Sequence, residues 1–174
     1  MFDGVFGKTV AAFAAFGILT GCGSPTTLLD VVVTATAAAA TAIPLLEAAG
    51  VIPAPTATIV LDYVDAVNKA AEQALNEEAT TDTPAQKAEK IAGYFAAVAA
   101  PALGPTVGPE VQAIVNAIIQ AVNAFTTELK NPKMIAAAAA GKNYKMDAGA
   151  SARIRKTTEA TSKTIADWKG AHPK

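Results

Sequence analysis

The chain of 174 residues is long enough for one domain with a modest core, and its charges nearly cancel at a net −1. Apolar residues make up 52% and aromatic residues only 6%, so the core has to be built from small side chains in closely packed helices. A single cysteine, Cys22, excludes an internal disulfide framework and a multi-cysteine metal site.

Alanine supplies roughly a quarter of the chain, well above ordinary usage. It has the highest helix propensity because fixing it costs no side-chain entropy. The near-zero net charge hides an asymmetry. From Gly23 to Glu128 three basic residues stand against eleven acidic ones, and from Leu129 to Lys174 ten basic residues stand against three acidic ones. A basic segment on an acidic body is suited to its own body, to an anionic membrane or to a polyanion.

In chain order, Val10–Thr20 comes first and reads VAAFAAFGILT, an uncharged run of signal-peptide length that is too short to span a bilayer comfortably. Lys8 precedes it, although Asp3 leaves the leader barely positive. The run closes on Leu19-Thr20-Gly21-Cys22, an aliphatic residue, two small residues and the cysteine. This resembles the lipobox of bacterial lipoproteins, and the resemblance covers residues 1–24 only. It implies that residues 1–21 are a cleaved signal peptide, that Cys22 becomes the lipidated first residue, and that 22–26 form a short tether. Two or more acyl chains anchor stably, since each buried methylene contributes roughly 0.8 kcal/mol. With Gly23 where aspartate marks inner-membrane retention, the resemblance implies an outer-membrane or cell-surface location rather than a cytoplasmic one. The rival reading is a retained apolar helix that happens to carry a thiol.

The first helix is expected over 27–49, capped by Thr26 or Thr27 and closed by Gly50, with Pro44 inside it. It is apolar on nearly all sides, and its uncharged stretch 31–46 spans roughly 24 Å, short of a hydrocarbon core of about 30 Å. A central buried helix is therefore the preferred reading. A second, amphipathic helix is expected over 58–78, with Val60, Tyr63, Val64, Val67, Ala71, Ala74 and Leu75 on one face. Thr83, Pro84 and Gln86 form a capping-box start for a third helix over 84–100. Pro109 and Glu110 open a fourth over 109–130, whose stripe includes Ile114, Ile118, Val122 and Phe125. A short alanine helix is expected after Pro132, and a polar helix over 150–169 with the thin stripe Ile154, Ile165 and Trp168. The expected fold is all-α. An alanine-rich antiparallel bundle over 27–130 is followed by a basic C-terminal segment over 131–174 that packing alone does not hold firmly.

No catalytic, cofactor-binding or metal-ligating residue is assigned. The one histidine, His172, lies near the chain end where disorder is expected, and no phosphate loop, calcium loop or H-E-x-x-H motif is present. Asp62, Asp65 and Glu72 read as a solvated helix face, and Tyr63, Tyr94 and Trp168 as packing residues. The chain reads as a non-enzymatic, lipid-anchored binding or structural module of the bacterial envelope. Cys22 is its lipidation site. Lys130, Lys133, Lys142, Lys145, Arg153, Arg155 and Lys156 are its candidates for anionic headgroups. A homo-oligomer is a candidate partner, and nucleic acid is not expected. The alternatives are a membrane-inserting, holin-like protein using 31–46, 91–109 and 111–127, or a subunit of a surface or phage assembly.

Overall fold

The computed structural model describes residues 25–77, 79–104, 107–139 and 148–172. The expected signal segment, Cys22, Lys142 and Lys145 lie outside the described residues. Six helices and no strands make up the described fold: α1 Pro25–Ala48, α2 Ala54–Glu77, α3 Pro84–Ala96, α4 Pro109–Leu129, α5 Pro132–Ala139 and α6 Ala148–Ala171.

The central helix is α1, sheathed by α2, α4 and α6. It is the one described helix long and apolar enough to cross a membrane, yet 56% of its apolar window is buried inside the protein. Its hydroxyls are engaged locally. Thr36, fully buried, donates to the Val33 carbonyl at 2.8 Å, while Thr34 and Thr41 donate to the carbonyls of Asp30 and Ala37. A buried threonine therefore leaves no unsatisfied donor in the apolar centre. The helix begins at Pro25, so Thr26 and Thr27 lie in its first turn rather than preceding it as caps.

At the other end of α1, Gly50 takes the left-handed conformation at φ 71°. Its amide donates to the Glu47 carbonyl and that of Val51 to the Leu46 carbonyl, each at 2.9 Å. These two bonds are the pair that closes a Schellman motif. The next helix, α2, starts four residues earlier than the pattern at 58 suggests, because Pro55 fits a first helical turn, where its missing amide is not needed.

The capping box of α3 is complete. Thr83 Oγ1 accepts from the Gln86 amide, and the Thr83 amide donates to Gln86 Oε1 at 3.0 Å. This helix ends at Ala96, not at 100, where the Ala97 amide folds back onto the carbonyls of Gly93 and Phe95. Pro101 disfavours helical backbone at the residue before it, so the last turn has nothing to propagate into. Phe95 meets Phe125 of α4 edge to face, with ring centroids 5.3 Å apart. On α4, Ile114, Ile118 and Phe125 are buried as expected, whereas Val122 is only half-buried at the edge of the core.

The largest departure concerns α6. It was expected to be held loosely, and instead it packs along α1 and α2. Ile154, Thr158, Thr161, Ile165 and Trp168 are all buried. The thin apolar stripe is extended by threonines whose hydroxyls bond back into their own helix, Thr158 to the Arg155 carbonyl and Thr161 to that of Thr157, both at 2.8 Å. Their methyl groups are then free to pack.

Candidate functional site

Two polar clusters join the helices. In the first, Asn68 of α2 is fully buried and its Nδ2 donates to the Thr158 carbonyl and to Ser162 Oγ of α6, both at 2.9 Å. Ser162 Oγ in turn donates to Glu72 Oε1 at 3.4 Å. Along the same seam Lys169 Nζ lies 2.8 Å from Asp62 and 3.5 Å from Asp65. Burial works against the Lys169 charge, but the hydrogen bond and charge of Asp62, joined by Asp65, outweigh it and hold the ammonium above its ordinary pKa.

The second cluster ties the α2–α3 turn. Glu77, only 6% exposed, accepts from Tyr94 at 2.9 Å and pairs with Lys90 at 3.2 Å. Lys90 also pairs with Asp82. The hydrogen bond from Lys90 chiefly holds the Asp82 carboxyl below its ordinary value, and Asp82 and Glu77 hold Lys90 above its own. The hydrogen bond to Glu77, then burial, pushes the Tyr94 phenol up. Burial alone raises that of Tyr63.

His172 is placed, contrary to the expected disorder at that position. Its ring stacks on Trp168 at 4.4 Å between centroids, its Nδ1 lies 2.9 Å from the Trp168 carbonyl, and its Nε2 lies 3.6 Å from Glu47. Chemically, both clusters and this contact fasten one helix to another. Among the described residues no three His, Cys, Asp or Glu side chains group as a metal site would require. An open groove of about 430 Å³ lies between α3, the end of α4 and α5, walled mainly by Ala85, Ala88, Ala92, Gly93, Leu129 and Ile135.

The candidate cationic residues sort by helix end. Arg153 pairs with Asp30 at 3.6 Å near the starts of α6 and α1, and Glu47 meets His172 near their finishes, so these two helices run in the same sense. Arg155 Nη1 reaches Asn76 Oδ1 at 3.5 Å, at the finish of α2, so α6 is antiparallel to α2. Lys130 caps the end of α4 and contributes to the groove, and Lys133 lies exposed in the first turn of α5. Lys130, Lys133 and Lys156 make no ion pair among the described residues, whereas Arg153 is paired.

Asn68, Glu77 and Ser162 were not distinguished by sequence. One signal was available: Asn68 follows Val60, Val64 and Val67 directly on the buried face, where an amide has to find a partner. Glu77 gave none, since its partners Tyr94 and Lys90 belong to another helix.

No protein family, curated protein or solved structure matches the chain.

Proposed function

We propose that this chain is a non-enzymatic, lipid-anchored helical module of the bacterial envelope, attached through Cys22. The carrying observation is the Leu19-Thr20-Gly21-Cys22 motif, three residues ahead of the start of α1 at Pro25. Three residues extend over roughly 10 Å, so the end of the bundle where α1 begins would lie against the bilayer. Arg153 stands at that end beside Asp30. Lys130, Lys133 and Lys156 are unpaired among the described residues and offer charge to anionic headgroups. The burial of α1 within the bundle favours this anchored reading over a membrane-inserting one, because it leaves attachment to the lipid.

The test is metabolic labelling with a palmitate analogue in a bacterial host. Label on the wild-type chain that disappears in Cys22→Ser supports the reading. An unlabelled wild-type chain, or label retained by the variant, rejects it. Headgroup contact is tested by sedimenting the full chain with anionic vesicles. The triple variant Lys130→Gln/Lys133→Gln/Lys156→Gln is expected to bind more weakly, and equal binding would contradict the contact.

A further inference from the structure

The groove between α3, the finish of α4 and α5 has an apolar floor made by Ala88, Ala92 and Leu129, all buried. It exists because α3 turns small residues toward it, Gly93 among them. At about 430 Å³ it falls within the roughly 300–1,000 Å³ of small-molecule sites. Only an apolar group gains by resting on this floor, since a polar one would lose water without finding a partner there.

Two charges flank the floor, Glu89 of α3 and Lys130 at the end of α4, both exposed. Neither makes an ion pair among the described residues, although both line the same groove. A complementary occupant has a hydrocarbon part for the floor and one charge of each sign beside it. A fatty acid or an anionic lipid answers Lys130 but sets a like charge beside Glu89.

The position of the groove selects the source of such a molecule. Asp30 near the start of α1 meets Arg153, and Arg155 on the same helix meets Asn76 at the finish of α2. The next residue, Glu77, meets Lys90 and Tyr94, the neighbours of Glu89 and Gly93 on α3. The groove therefore stands at the end of the bundle where α1 begins. The chain ahead of Pro25 leaves from that end, with Cys22 three residues away. On the anchored reading, on which this choice of occupant rests, that end lies against the bilayer. We propose that the groove holds one acyl chain of a zwitterionic phospholipid, with the lipid phosphate at Lys130 and its primary ammonium at Glu89.

The test is photo-crosslinking of the full chain in vesicles of mixed phosphatidylethanolamine and phosphatidylglycerol, with a diazirine on the acyl chain of one lipid or the other. Labelled positions are mapped by peptide mass. Leu45, Val51 and Ile59, the exposed apolar residues about the α1–α2 turn, serve as the comparison, roughly 30 Å along the bundle. The phosphatidylethanolamine probe is expected to label α3 and Ile135 several-fold more than these three, and several-fold more than the phosphatidylglycerol probe does. Gly93→Leu, whose Cβ meets nothing within 4 Å, is expected to lower groove labelling several-fold. Glu89→Gln, at an exposed position, is expected to erase the preference between the probes, and it decides the matter if Gly93→Leu melts below wild type. Groove labelling equal to that of Leu45, Val51 and Ile59 would overturn the proposal. So would labelling equal for the two probes, or indifferent to both substitutions. The expected pattern on a chain without acyl groups at Cys22 would reject the anchor and still support the groove as a lipid site.

Discussion

Asn68 Nδ2 donates to the backbone carbonyl of Thr158 at 2.9 Å, joining α2 to α6 across 90 residues of chain. The bond lies in a region sealed from solvent, since both residues are fully buried. Breaking one buried hydrogen bond of this kind costs about 1–2 kcal/mol. Asn68→Ala is expected to lower the unfolding free energy by that amount in a urea titration. Deleting residues 148–174 is expected to abolish the cooperative transition, because α1 and α2 would both lose their α6 cover. A truncated chain that melts like wild type would return α6 to the status of an appendage.

Ile118 and Val122 lie one turn apart on α4, but Ile118 is fully buried and Val122 only half-buried. Ile118→Asp places a charge without a partner in the core and is expected to cost several kcal/mol. Val122→Asp can turn its carboxylate toward water and is expected to cost well under half as much. Equal losses on thermal melting would contradict the assigned face.

At Gly50 the backbone is left-handed, with φ 71°, and an added Cβ would meet nothing within 4 Å. Gly50→Ala therefore carries only the backbone penalty, expected at about 1–2 kcal/mol. Gly93 is helical with equally open surroundings, so Gly93→Ala is expected to stabilise by up to about 1 kcal/mol. Opposite signs in paired melts are the check.

Stability is expected to fall at both pH extremes. Lys90, Lys169 and Tyr94 have raised pKa values, so their contributions are whole below about pH 10 and are lost as pH rises through the raised values. Asp82 has a lowered pKa, so its contribution is present above about pH 4 and is lost as pH falls through the lowered value. Lys90→Met should flatten both limbs of the melting-temperature profile, and Lys169→Met should flatten the alkaline one. Profiles parallel to wild type would remove these pairs from the stability account.

The helices were legible where local chemistry decides them. Thr83, Pro84 and Gln86 specify the start of α3, and Gly50 specifies the stop of α1, without reference to the rest of the chain. The stripe of α2 was legible because its polar and apolar residues separate cleanly by face. The packing of α6 was not, because Thr158 and Thr161 count as polar in a pattern. Their hydroxyls close onto their own helix, and only that local bond makes them fit for a core. The clusters around Asn68 and Glu77 depend on which helix lies beside which, a relation that no spacing along one helix encodes.

The most direct test of the anchored reading is the intact mass of the protein isolated from its native membrane. The account predicts the mass of residues 22–174 plus that of the acyl groups on Cys22. An unmodified mass beginning at Met1 would contradict it.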